Sequence, residues 1–434
     1  MRIKRYAGIA VFIVAFWANA IVWAQDLPRA RPESVGMSTQ RLGRITEVLK
    51  QEVTQDSFPG AVVLVARKGK LVYSDAIGFL DKNANVPMSK DAIFRIYSMT
   101  KPLVSVAAMM LVEDGKIQLT DPVSKFLPGF DKLQVSVPSA DGSSYTVVPQ
   151  ARQMTVQDLL RHTSGLTYGE ITKNQPVKEA YAKAGVYLPG VRDYDARGVT
   201  PSEEVSGIAE APLANQPGTV WEYGLSTDIL GRVVETASGK RLGDFLNERL
   251  FKPLKMVDTG FWVSKPNLKR LAQALPKDRT TGAPNLLIDV SEQPKNDSGG
   301  AGGVSTASDY LRFGQMLLNG GKLDNVRVMS RTTIALMTAD QLSTRINQPL
   351  QPGELLLGTL GYTFGLGFLV RQGPGIAGVP GSAGEFMWAG AAGTFFWVDP
   401  KEELVGIYMT QAPSPIRAYY RKLFKQLVYQ AITD

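Results

Sequence analysis

Phe94-Arg95-Ile96-Tyr97-Ser98-Met99-Thr100-Lys101-Pro102 joins an extended segment, 93–97, to a helix expected over 98–114. It holds the single Ser-x-x-Lys of the chain, Ser98-Met99-Thr100-Lys101. On a helix, residues three apart share a face, with side chains about 5 to 6 Å apart, so the lysine amine can reach the serine hydroxyl. Unpaired N–H groups at a helix start favour a developing alkoxide and disfavour a charged lysine beside it. Nucleophile and base are then available without imidazole.

The composition makes that alternative necessary. The 434 residues include no cysteine and one histidine, His162. Disulfides, a thiolate nucleophile, iron–sulfur clusters and cysteine zinc sites are excluded, and imidazole-rich metal sites are excluded with them. Any metal would have to sit in an all-carboxylate shell, and no cofactor or metal is expected. Hydrophobic residues at 44% and charged residues at 20% are ordinary globular usage. The formal net charge is +8, but Arg2, Lys4 and Arg5 contribute three of those charges. The densest later basic group, Arg417, Arg421, Lys422 and Lys425, reads as a solvated helix face, and no nucleic-acid partner is expected.

Residues 1–6 are basic, and 7–24 form an apolar run ending in Val22-Trp23-Ala24, a small-residue cleavage pattern. Residues 1–24 are expected to be a signal peptide, and the mature protein to be periplasmic or secreted. No membrane contact beyond that segment is expected.

Helical spacing over 38–55, with Ser38 as N-cap, precedes β-rich runs at 61–66 and 70–76. Further helices are expected over 155–161, 227–238, 242–250 and 307–318. Strands return at 362–370, 385–389, 393–398 and 404–410, before a last helix over 417–432 whose Tyr420, Phe424 and Val428 belong to one apolar stripe. Strands at both ends with helices between them predict an α/β (α+β) architecture. Residues 25–96 with 345–434 would form a discontinuous sheet domain, and 97–344 an inserted, mainly helical domain.

Five segments carry a family resemblance through nearly the whole mature chain. They are the 94–102 stretch, Leu159-Leu160-Arg161-His162-Thr163-Ser164-Gly165-Leu166, Tyr223-Gly224-Leu225-Ser226-Thr227-Asp228, the glycine-rich 299–306, and Trp388-Ala389-Gly390-Ala391-Ala392-Gly393-Thr394. In this order they resemble the serine β-lactamase and penicillin-binding superfamily, most like class C β-lactamases and family VIII carboxylesterases. The resemblance implies a β-lactamase-like fold: an antiparallel sheet flanked by the N- and C-terminal helices, with an all-helical insertion.

By that resemblance Ser98 is the nucleophile, Lys101 its base partner, and Tyr223 an acid–base residue if its oxygen lies against Lys101. Which of the two takes the first proton stays open. The N–H groups of Ser98 and Ala391 would form the oxyanion hole. Two departures concern the substrate. Trp388-Ala389-Gly390 stands where the superfamily has Lys-Thr-Gly, and Leu225 stands where β-lactamases carry asparagine. An apolar Trp388 in place of a cation, and a lost amide at Leu225, favour neutral esters over β-lactams. Trp388, Gly390 and Leu225 are thus expected at the substrate. The function implied is a serine carboxylesterase acting on short-chain or aromatic esters, with a small-molecule ester as partner. A class C-like β-lactamase, a D-alanyl-D-alanine peptidase or an acyltransferase using the same acyl-enzyme are the alternatives.

Other candidates are set aside. His162 reads as a locally hydrogen-bonded turn residue rather than a triad member. Asp81-Lys82-Asn83-Ala84-Asn85-Val86 lacks the glycine of a calcium loop, and 299–303 lacks the lysine of a phosphate loop. Tyr97, Tyr168 and Trp221 are expected in the core.

Overall fold

The computed structural model describes residues 26–141, 144–187 and 196–434. The expected signal segment, 1–24, lies outside them.

Helix α1 (Thr39–Thr54) starts where Ser38 accepts a hydrogen bond from the Arg41 N–H, and it buries Leu42, Ile45, Leu49 and Val53. Strands β1 (Gly60–Arg67), β2 (Lys70–Asp81) and β3 (Val86–Pro87) follow. A short β4 (Ile93–Arg95) leaves the sheet to pair with β5 (Val304–Thr306). Helix α2 (Thr100–Glu113) is buried along its first twelve residues, α3 spans Ser226–Ser238 and α4 spans Ala307–Leu318. The chain closes with β6 (Tyr362–Phe364), β7 (Leu369–Arg371), β8 (Phe386–Ala389), β9 (Phe395–Asp399), β10 (Leu404–Thr410) and α5 (Arg417–Tyr429).

Eight strands form one antiparallel sheet in the order β6-β7-β8-β9-β10-β1-β2-β3. First and last parts of the chain meet at its centre, where Ala61 pairs with Thr410 and Arg67 with Leu404. Helices α1 and α5 pack together against strands β2 and β10, and α4 packs on β1, β9 and β10. Cover of this kind explains why β1 and β10 are buried at every residue and read as continuous apolar runs rather than alternations. The boundary expected at 344/345 falls after α4, which packs on the sheet, and the span between also contains a hairpin, Gln134–Pro138 with Tyr145–Pro149.

Two expectations are corrected. The run 362–370 is not one strand: the Gly365 N–H bonds the Phe368 carbonyl, closing a tight turn between β6 and β7. Nor is the basic group of the last helix a solvated face. Arg421 and Lys425 are 3% and 0% exposed, because i,i+4 spacing places them beside the buried Tyr420, Phe424 and Val428. Lys425 lies 2.6 Å from Glu385, which also meets Arg371 at 3.3 Å.

Candidate active site

The β4–β5 pair delivers the chain to the Ser98 turn. The Ile96 N–H bonds the Gly303 carbonyl, and Tyr97 then adopts a left-handed backbone, φ 43°, that is costly for a bulky residue. Ser98 sits in a 3₁₀ turn, Tyr97–Met99, immediately before α2. Three contacts hold that turn. The Thr100 hydroxyl donates to the Tyr97 carbonyl at 2.6 Å and accepts from the Gly303 N–H at 3.0 Å. The Tyr310 hydroxyl donates to the Met99 carbonyl at 2.7 Å.

Lys101, in the first turn of α2, is 1% exposed. Its Nζ lies 3.4 Å from Ser98 Oγ, 2.9 Å from the Tyr168 hydroxyl and 2.8 Å from the Gly300 carbonyl. Among the described residues no carboxylate pairs with it. The contact to Ser98 is long, as such contacts commonly are before substrate binds. Asp228, on α3, accepts the Gly300 N–H at 2.9 Å and the Ser298 hydroxyl at 2.8 Å, which fixes the segment that presents the Gly300 carbonyl.

Tyr223 enters just before α3. The adjoining Gly224 lies so close to the backbone of Thr167 that a Cβ there would meet the Thr167 Cα at 2.4 Å. That close approach brings Tyr168 and Tyr223 to one place, with ring centres 5.5 Å apart. Lys101 Nζ stands 4.7 Å from the centre of the Tyr223 ring, while its hydrogen bond goes to the Tyr168 hydroxyl. Sequence reasoning placed Tyr168 in the core. It is buried, but its hydroxyl belongs to the site, and no spacing rule links residues 67 positions apart.

Trp388 and Leu225 are 1% and 2% exposed. Trp388 therefore lies behind Tyr223, its ring centre 5.5 Å away, and packs on Phe364, rather than forming an open wall. Leu225 faces the core at the start of α3, so neither side chain is presented to a cleft. At Gly390 a Cβ would meet the Ile96 carbonyl oxygen at 2.3 Å, and this contact brings the end of β8 against the Ser98 segment. Neither the Ser98 N–H nor the Ala391 N–H donates to an acceptor among the described residues.

His162 is not a locally hydrogen-bonded side chain. Its backbone is left-handed, φ 57°, and its Nδ1 has no partner among the described residues. The ring packs 5.0 Å from Tyr223 and 5.5 Å from Phe364. Burial, and then the Lys101 charge, hold the imidazole well below its usual pKa. A neutral ring in that position shapes the wall behind Tyr223.

A serine hydroxyl, a buried amine, a phenol over that amine and two N–H groups without an acceptor among the described residues are the kinds of group that acyl transfer needs. Comparisons with known proteins agree. The Beta-lactamase family model matches residues 45–428. Esterase EstB of Burkholderia gladioli is 31% identical over 379 residues, covering 82% of this chain and 86% of its own. Protein Rv1367c of Mycobacterium tuberculosis is 36% identical over 365 residues, covering 81% and 85%. Among solved structures, EstCE1, described as a hydrolase with promiscuous acyltransferase activity, superposes with a TM-score of 0.70 at 25% identity, covering 91% of this chain and 99% of its own. The expected fold class is borne out, and the chain belongs to the Beta-lactamase family and is a serine hydrolase.

Proposed function

We propose that the protein hydrolyses carboxylic esters through an acyl-enzyme on Ser98, with Lys101 and Tyr223 moving the protons. The observation that supports this most is the placement of Lys101: its amine is buried, 3.4 Å from Ser98 Oγ, and among the described residues bonded only to neutral oxygens. In its deprotonated form that amine takes the Ser98 proton as Oγ attacks the ester carbonyl carbon. The N–H groups of Ser98 and Ala391 receive the oxyanion, a contribution of roughly 3 to 4 kcal/mol per donor in comparable sites. Collapse breaks the bond to the alkoxide, which leaves with a proton from Tyr223. Water then attacks the acyl carbonyl, giving a proton to the Tyr223 phenolate, and collapse breaks the bond to Ser98 Oγ, which takes its proton back from Lys101 and releases the acid.

Two features favour an ester over a β-lactam. Trp388 replaces the lysine that would pair with a β-lactam carboxylate, and Leu225 replaces an amide side chain. The esterase EstB among the relatives points the same way. Turnover of a short-chain nitrophenyl ester is expected to exceed that of nitrocefin, and faster nitrocefin cleavage would overturn the ranking. The promiscuous acyltransferase activity of EstCE1 supports a second reading, in which an alcohol replaces water as acyl acceptor. Accumulation of the exchanged ester in the presence of methanol would be its signature. We also infer export to the periplasm or medium from the apolar run at 7–24, tested by the N-terminal sequence of the exported protein, expected to begin at Gln25.

A further inference from the structure

We propose that Arg421, on α5, is a positioning residue for the oxyanion hole: by holding the Gly390 carbonyl it turns the Ala391 N–H toward Ser98. This rests on the acyl-enzyme reading above and adds a residue from a distant part of the chain.

Arg421 is 3% exposed, and its guanidinium donates to the Gly390 carbonyl at 2.7 Å and to the Leu356 carbonyl at 2.9 Å. It forms no ion pair among the described residues, and its Nε has no partner. Burial pushes the group down to about 9, so the fold bears a desolvation penalty here that an apolar side chain of similar volume would avoid. What the cation touches accounts for its presence. Every peptide bond in the described chain is trans, so the Gly390 carbonyl and the Ala391 N–H are antiparallel within one planar unit. A carbonyl fixed by Arg421, and also by the Gly393 N–H at 3.1 Å, therefore aims that N–H away from α5. Gly390 itself lies against the Ile96 carbonyl, on the side where the Ser98 turn runs. The Ala391 N–H has no acceptor among the described residues, as a donor reserved for a transient anion should have none. A cation on the carbonyl also polarises the amide and strengthens that donor.

The test compares full-length wild type, Arg421→Met and Arg421→Lys on a nitrophenyl ester, with kcat, KM, thermal midpoint and affinity for an arylboronic acid that forms a tetrahedral adduct on serine. Losing a well-placed oxyanion donor costs about 100- to 1,000-fold, so misaiming one in Arg421→Met should lower kcat by about 10- to 100-fold at nearly unchanged KM. Boronic acid affinity should fall by the same factor, and Arg421→Lys should lie between. Undiminished kcat in Arg421→Met overturns the proposal. So does a loss confined to KM, which would make Arg421 a substrate contact, or a loss of rate with boronic acid affinity intact. If Arg421→Met does not fold, Arg421→Lys decides by the same criteria. Labelling of wild-type Ser98 by a fluorophosphonate separates the two readings: without it the acyl-enzyme reading fails, and with it a null result in the variants counts against Arg421 alone.

Discussion

Among the described residues two lysines, Lys101 and Lys425, are buried almost completely, and their surroundings are opposite. Lys425 meets Glu385 at 2.6 Å, and Glu385 also meets Arg371, so burial lowers the amine while the carboxylate opposes the loss of its proton. Lys101 meets a hydroxyl, a phenol and a carbonyl. The first arrangement sets a carboxylate against a buried amine between α5 and the sheet; the second surrounds a buried amine with neutral oxygens. What separates the two is the counter-charge, since both are buried.

The largest effect should come from deleting each in turn. Lys101→Met is expected to lower kcat about 1,000- to 10,000-fold, while the unfolding free energy stays level or rises, because a desolvated amine is replaced by a thioether. Lys425→Met should do the reverse, costing about 3 kcal/mol in denaturant titration by stranding part of the Glu385 charge, with kcat changed by less than about threefold in the folded protein. Equal effects of the two substitutions on stability would erase the contrast.

The comparison extends to acids. Asp309, on α4, is offered among the described residues only the Asp258 N–H and the Thr259 hydroxyl, each at 2.8 Å, and burial pushes its carboxyl up to about 7. A raised carboxyl pKa contributes stability that is complete below the unfolded value near 4 and is lost as pH rises through about 7. Wild type should therefore lose about 3 to 4 kcal/mol between pH 4 and pH 8 through this group, and Asp309→Asn should remove that share of the slope in pH-dependent denaturation. An unchanged slope would show that Asp309 titrates like an exposed carboxylate.

The smallest effect expected is that of Tyr168→Phe. It removes one neutral oxygen from Lys101 without adding charge, and should cost about 10-fold in kcat, with stability changed by about 1 kcal/mol. Tyr223→Phe should cost more in kcat, since Tyr223 is assigned the proton for the leaving alcohol. The reverse order would transfer that role to Tyr168.

What could be seen in the sequence was local or carried by family pattern. Ser98 and Lys101 share one turn of chain, and Ser38 announces α1 by a capping rule that acts over three residues. The sheet is legible because β1 is apolar up to Ala66 and β10 up to Met409. Contacts made by closure of the fold were not legible. Tyr168 reaches Lys101 through a loop, and Arg421 and Lys425 are drawn inward by a carbonyl and a carboxylate supplied from other elements. Trp388 and Leu225 were expected at the substrate because aligned positions say where a residue falls along the chain, not which way its side chain packs. The turn at Gly365 was missed because strands β6 and β7 are each three residues long and join in one apolar run.

Acyl transfer through Ser98 can be caught by quenching the protein during turnover of a slowly deacylated nitrophenyl ester and mapping the acyl group by peptide mass spectrometry. One acyl group is expected on the peptide containing Ser98, absent in Ser98→Ala, which should also lose ester hydrolysis. An acyl group on another residue, or undiminished turnover in Ser98→Ala, would contradict it.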